Sequence, residues 1–370
     1  MSRNDPPSTA RKLEFLSRRE TYPGQTLPVE IIETHFAWVF LTERHAYKMK
    51  KPLRQNVMDY RSIASRERGC RNELRLNRRL APTVYLEVMP LGRERDGSLV
   101  LGHGQSTVDW LVKMRRLPAT RMLDRAIAQS TVSESDRNAL IDLLAMFYLR
   151  ARRKAIGAAE YVRQLRSYVE ENFQSLCAAD LGMNPVPVFQ VIVEQRRFVD
   201  SNIELLSARA SRLVECHGDL RPEHVYLGSR DDVACVIDCL EFDARLRRLD
   251  PLEELAFLAL ECRRLGAEAL GQSVLQGVET TIGDVPPVSL VHFYMSHRAL
   301  TRAKVSAWHL RDPDLPGSEK HWRDRADLYV QEALRCAQLA TRAPFIEGSV
   351  ALSDCSDTRP ERLGRLSPEC

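Results

Sequence analysis

The 370-residue chain carries 54 lysines and arginines against 50 aspartates and glutamates, a formal net charge of +4. So even a balance argues against nucleic acid or a membrane surface as the main partner. Nine cysteines lie scattered with no CxxC pair, which excludes a zinc knuckle or a disulfide framework. With no apolar leader and no uncharged apolar window long enough to span a bilayer, the expectation is a reduced, cytoplasmic, globular protein.

Residues 1–11 are polar and proline-containing, the texture of a loose tail. The stretch "PVEIIETHFAWVFLTERHAYKMKK" reads as strands broken by the polar turn "TERH", because β-branched and aromatic residues crowd both sides of it. A helical pattern follows over about 60–80 and is ended by Ala81-Pro82. Two more strands are expected at "YLEVMPL" and "VDWLVKMRRL", separated by the glycine-rich turn in "RERDGSLVLGHG". Beyond Pro118 the texture changes: residues 133–210 are almost all helix-periodic, and helices return at about 250–275, 287–309 and 318–342. Residues 346–370 lack periodicity and are expected to be disordered. The fold class is therefore α+β, with a small mixed sheet and one helix over 12–117 and a mostly helical lobe over 118–345.

One short stretch interrupts the helical half. "ECHGDLRPEHVYLGSRDDVACVIDCLEF", residues 215–242, places His217, Asp219, Glu223 and His224 before one short strand, and Asp238 and Glu241 after another. A hairpin folded about residue 231 sets position 224 opposite position 238 and makes the two acidic clusters neighbours. Carboxylates so concentrated repel one another unless a cation offsets them. A hard divalent ion fits, since it needs few protein carboxylates and completes its shell with water and phosphate oxygens.

"HGDLRPEHVYL", followed by "VIDCLEF" and "RRLDPLEELAFL", resembles the aminoglycoside phosphotransferase and choline kinase group, whose pattern is HGDLHxxN and then a strand ending in Asp. "ETHFAWVFLTERHAYKMKKP", "NELRLNRRLAP", "VKMRRLP" and "RALTRAK" extend the likeness to an uncharacterised bacterial branch of that group, over roughly residues 12–342. The resemblance implies a protein-kinase-like two-lobed fold, ATP with Mg²⁺ or Mn²⁺, and transfer of the γ-phosphoryl group to a hydroxyl of a small-molecule substrate. It casts Asp219 as the catalytic acid that orients the attacking hydroxyl, and Asp238 as the metal-holding acid. His217 would tie down the loop, and Asp250 would accept hydrogen bonds from the catalytic-loop backbone. Glu241 either assists a second metal or pairs with Arg245.

In the strand half, "HAYK" occupies the place of the kinase strand that carries the phosphate-binding lysine. Alternation puts Ala46, Lys48 and Lys50 on one face, so a small residue over the adenine and a cation over the phosphates come from the same side. Lys48 is favoured by the Ala-x-Lys spacing and Lys50 is the reserve. Glu73 resembles the helix glutamate that holds this lysine, against the alternative of a surface ion pair with the arginines around it. "VKMRRLP" would form the hinge, where Met114, Arg115, Arg116 and Leu117 supply backbone groups to the adenine edge.

Two departures stand out. "ETHFAW" has no glycine, so a backbone amide cradle over the phosphates cannot form there. His224 stands where the group has a metal-binding Asn, and imidazole suits Mn²⁺ better than Mg²⁺. His224 therefore changes the metal preference, contacts the metal through water, or marks a catalytically weak nucleotide-binding module; AMP transfer on the same fold is a third alternative. For the acceptor, Arg298 and Arg302, one turn apart, either clamp an anionic group or pair with acids of a neighbouring helix. No carboxylate run suited to a polycationic antibiotic stands out in the helical lobe.

Overall fold

The computed structural model describes residues 7–55, 58–229, 232–311 and 318–342. The expected disordered segment 346–370 lies outside the described residues, as do residues 1–6 of the expected tail. The tail does not extend to residue 11. Helix α1 (Thr9–Ser17) starts at once, because the Ser8 side chain accepts from the Arg11 amide at 3.3 Å and Leu16 is fully buried. Lys12 anchors it, donating to the Val108 carbonyl at 2.9 Å and to Asp109 at 2.8 Å.

Six strands follow: β1 (Glu30–Glu33), β2 (Ala37–Leu41), β3 (His45–Lys50), β4 (Tyr85–Arg93), β5 (Leu99–Leu101) and β6 (Ser106–Arg115). They form one sheet in the order β1-β2-β3-β6-β4-β5, and every pairing is antiparallel rather than mixed. The short β5 falls inside the stretch read as a glycine-rich turn, since three residues are too few for a periodicity to show. The alternation expected along β3 holds. Tyr47 and Met49 enter an outer apolar cluster with Leu16, Tyr22 and Phe40, while Ala46 packs on the opposite face with Val112, Met114 and Tyr226.

Helix α2 (Ile63–Asn77) is capped by Ser62, whose side chain accepts from the Ser65 amide, and it follows the small two-stranded pair at Arg54–Gln55 and Met58–Asp59. The helical lobe is built from α3 (Glu134–Arg150), α4 (Ala158–Leu176), α5 (Pro185–Ser201), α6 (Pro251–Arg264), α7 (Glu268–Ile282), α8 (Val288–Trp308) and α9 (Glu319–Arg342), with shorter helices between. The single helix expected over 250–275 is two. The chain turns at Gly266 with φ +81°, a conformation that costs a Cβ-bearing residue more than glycine. α6 is the core of this lobe: every residue from Pro251 to Cys262 is buried, including Glu253, Glu254 and Glu261. A helix buried all round with three acids inside must give each of them a partner. No helix among the described residues is long and apolar enough to cross a membrane.

Candidate active site

The hairpin forms between strands β7 (Val225–Tyr226) and β8 (Cys235–Val236), but its register differs from the expected one by a residue. Val225 pairs with Val236 and Tyr226 with Cys235, so His224 stands opposite Ile237, whose amide donates to the His224 carbonyl at 2.9 Å. Asp238 still meets His224, at 3.7 Å from Oδ2 to Nε2, because the chain turns sharply there. Asp238 adopts φ +63°, a left-handed conformation rare outside glycine and costly for an aspartate. Its amide is held by the Tyr85 hydroxyl at 3.0 Å, and the amide of Cys239 by the Asn77 side chain at 2.9 Å. β4 and α2 thus fix the turn that aims this carboxylate at Lys48.

Two lysines share one glutamate beneath it. Lys48 Nζ lies 2.9 Å from Glu73 Oε1 and 2.6 Å from Asp238 Oδ1, while Lys50 Nζ lies 2.6 Å from Glu73 Oε2 and also contacts Glu241. Glu73 is fully buried, so it is a partner of the strand lysines and not of surface arginines. Burial pushes the Glu73 carboxyl up, but Lys48 and Lys50 outweigh it and hold it below the usual range. Lys50 is the deeper of the pair, with its side chain 2% exposed against 15% for Lys48. Glu241 does not pair with Arg245, which is taken by Asp243 at 2.8 Å; it accepts instead from the Tyr60 hydroxyl at 2.9 Å beside Lys50. Lys50, Glu241 and Tyr60 therefore tie β3 to the segment that follows Asp238.

The loop before the hairpin is organised by two histidines. His217 is fully buried; its Nδ1 accepts from the Asp219 amide at 3.3 Å, so Nε2 carries the proton and donates to the Ile237 carbonyl at 2.9 Å. His224 Nδ1 faces the Asp219 carbonyl at 2.8 Å and therefore donates, leaving the Nε2 lone pair to Arg221 at 3.1 Å. Arg221 also donates to Asp219 Oδ2 at 3.0 Å. Burial pushes the Asp219 carboxyl up, yet Arg221, with Arg302 and Arg298, holds it well below the usual carboxylate range. Asp238 is likewise held low, by Lys48 against burial. Both acids stay ionised at neutral pH. The Glu223 side chain lies between two arginines, 3.5 Å from Arg264 and 3.9 Å from Arg221.

Asp250 was expected to bind the catalytic-loop backbone and does not. It caps α6, accepting from the Leu252 amide at 3.1 Å, and forms a two-pronged pair with Arg209 at 2.6 and 2.7 Å. The backbone role belongs to Glu254, one turn further along, which accepts from the amides of His217 and Gly218 and from the Tyr148 hydroxyl at 2.9 Å. The carbonyl of Gly218 accepts from Arg298 at 2.8 Å. Arg298 also lies 3.7 Å from Glu253, so this arginine serves the loop and a neighbouring helix's acid. The sequence signal for Glu254 was present: an acid four residues after Asp250, on the inward face of an apolar helix, has to be paired with something buried.

Glu253 supplies a pH prediction. Burial, with Arg298 opposing, raises its carboxyl to about 7. A carboxyl whose pKa is higher folded than unfolded favours the fold most below pH 4.5, and that advantage is lost as pH rises through 7. Glu253→Gln should therefore gain stability over the wild type between pH 5 and pH 8, on the order of 3 kcal/mol at most. Urea unfolding of both proteins at the two pH values measures the difference. The difference is diagnostic where the wild-type curve is not, because burial holds His217 and His297 down at about 3 and their contributions run the opposite way between pH 3 and 6.5.

At the hinge, Ala46 pairs with Met114 across the sheet, and Val39, Leu41, Leu117 and Ile237 line the same half-buried apolar face. The amides of Arg115 and Arg116 are already bonded, to the carbonyls of Val84 and Arg44 at 2.8 Å each. Their side chains pair with Asp232 and Glu30. Those two amides are therefore not free to read a ligand edge, whereas the Leu117 amide has no such bond among the described residues.

Among the described residues no three His, Cys, Asp or Glu side chains converge to hold an ion by themselves. Asp238 nevertheless keeps 46% of its side chain exposed, with His224 Nε2 facing it and Asp219 on the other side of that ring, at 3.7 Å from Nδ1. Such a sparse set fits an ion that arrives with phosphate oxygens as its other ligands.

No protein-family model matches the chain. Uncharacterised proteins of Mycobacterium tuberculosis (strain H37Rv) and Mycobacterium bovis are 32% identical over 281 residues, which covers 75% of this chain and 54% of theirs. The chain thus spans about half the length of the curated relatives it matches. Among solved structures, the GDP and kanamycin complex of APH(2'')-IIIa aligns with a TM-score of 0.54 at 14% identity, over 88% of this chain and 98% of that one. The GDP complex of wild-type aminoglycoside 2'-phosphotransferase-IIIa aligns at 0.52 and 14%, over 89% and 99%. At that identity the likeness is one of fold: the chain has the protein-kinase-like two-lobed fold of the aminoglycoside phosphotransferases.

Proposed function

We propose that the protein is an ATP-dependent phosphotransferase acting on a hydroxyl of a small molecule. The observation that carries this reading is the convergence of Lys48, Glu73 and Asp238 within 2.9 Å across the cleft, with Asp219 on the far side of His224. A buried lysine held by a glutamate presents fixed positive charge to phosphate oxygens, and fixed charge needs no reorganisation as the reaction proceeds. Asp238 and, once Arg221 releases its Nε2, His224 would hold the divalent ion, which supplies neutralisation of phosphate charge when bound. Asp219 accepts the proton of the attacking hydroxyl and orients its lone pair. Lys50 and Glu241 brace β3 against the Asp238 segment, which keeps Lys48 in line. Ala46, Met114 and the apolar face around them take the base, with the Leu117 amide as the hinge donor.

The ion pair between Lys48 and Asp238 favours a second reading, a nucleotide-binding module of little activity, since it must open before either group meets a metal–nucleotide complex. Calorimetric titration with ATP, with and without Mg²⁺ or Mn²⁺, tests the reading. The wild type should bind ATP with metal-dependent affinity, and Asp238→Asn should lose at least about tenfold of it, the worth of one charge-assisted ligand. Undiminished binding in Asp238→Asn removes the metal assignment. His224→Asn in the same titrations should shift preference from Mn²⁺ toward Mg²⁺.

A further inference from the structure

α8 and α9 meet against the tip of the β1–β2 hairpin, and the side chains there are rings and guanidinium groups. Tyr329, fully buried, has the guanidinium carbons of Arg264, Arg302 and Arg325 at 5.9, 5.9 and 6.0 Å from its ring centre. Arg325 also lies 5.8 Å from the Trp322 ring centre. Trp322 stacks on His309 at 3.8 Å, and the His309 ring is 5.7 Å from that of His35 at the hairpin tip.

The three arginines are not equally satisfied. Arg264 pairs with Glu261 at 2.9 Å and Glu223 at 3.5 Å, and Glu261 also accepts from the Tyr329 hydroxyl at 2.8 Å. Among the described residues no carboxylate pairs with Arg302 or Arg325, and the Nε of Arg302 is buried without a hydrogen-bond partner. A buried guanidinium atom with no acceptor costs free energy until an anion supplies one. The cluster also neighbours the reacting loop: Arg302 lies one turn along α8 from Arg298, which donates to the Gly218 carbonyl at 2.8 Å, and Arg264 shares Glu223 with Arg221, the partner of Asp219.

We propose that Arg302 and Arg325 receive an anionic group of the phosphoryl acceptor, so that the substrate is a hydroxyl compound bearing a phosphate or carboxylate. This inference rests on the phosphotransferase reading and narrows its acceptor. Planar guanidinium forks match the oxygens of either anion. A polycationic acceptor would meet like charge at the same place.

The test uses the full chain and inorganic phosphate as probe. Millimolar phosphate should raise the melting temperature of the wild type by a few degrees, and the shift should vanish in Arg302→Gln but survive in Lys48→Met, whose lesion lies in the nucleotide cleft. Arg302→Lys keeps charge without the fork and should retain part of the shift, which separates lost binding from lost folding. No shift in the wild type, an unchanged shift in Arg302→Gln, or loss only in Lys48→Met each overturns the proposal. Titrations with glucose 6-phosphate, gluconate, glucose and glucosamine in the presence of ADP then separate phosphate from carboxylate; tighter binding of glucose or glucosamine than of both anions also overturns it. ATP binding is measured independently, so its absence would strike the phosphotransferase reading while leaving the anion site standing.

Discussion

Asp219→Asn is expected to lower phosphoryl transfer roughly 100- to 10,000-fold, the range for losing a positioned general base, with ATP affinity largely kept. The geometry separates the two acids. Asp219 is enclosed by Arg221 and His224 on the helical-lobe side, whereas Asp238 faces Lys48 and the strand lobe. An amide at position 219 retains the acceptor oxygen for Arg221 and for the loop, so the fold should survive the change. Single-turnover rates and ATP titrations on the same preparation measure both quantities. A parallel fall in affinity and rate would place Asp219 in the metal–nucleotide site instead.

Glu254→Leu should destabilise the protein by about 3–5 kcal/mol, as breaking a buried charged network does. Its carboxylate is the acceptor for the His217 and Gly218 amides and for Tyr148, all inside the helical core. Leucine fills the volume and leaves those donors without partners. Glu254→Gln keeps one acceptor oxygen and should lose less. Urea unfolding measures the loss. Activity per folded molecule should fall as well, because the loop that carries Asp219 is hung from this side chain. An Asp250→Asn variant should differ, losing stability through Arg209 with less effect on that loop.

The hairpin and its acids were legible because they break a helix-periodic lobe, and the lysine strand because alternation leaves only one face for Ala46, Lys48 and Lys50. The exchange of roles between Asp250 and Glu254 was not. Both lie at the start of one helix, and only the three-dimensional position of the "HGD" loop decides which carboxylate meets its amides. The one-residue register change arose at the hairpin connection: Ser229 pairs with Asp232, which centres the hairpin half a residue before position 231. Glu241 resisted for another reason. Its partners, Lys50 and Tyr60, come from parts of the chain 191 and 181 residues away, while Arg245 was the nearest opposite charge in sequence. Tertiary placement overrode local pairing there, as it did for Glu73.

The most direct test of the account is mass analysis of a small-molecule extract incubated with the protein, ATP and either Mg²⁺ or Mn²⁺, beside an Asp219→Asn control. The account predicts that at least one hydroxyl compound gains a single phosphoryl unit with release of ADP, in the wild type and not in the control. A gain of AMP would contradict the γ-phosphoryl assignment, and no mass gain with either metal, in a protein shown to bind ATP, would contradict catalysis and leave the nucleotide-binding module as the reading.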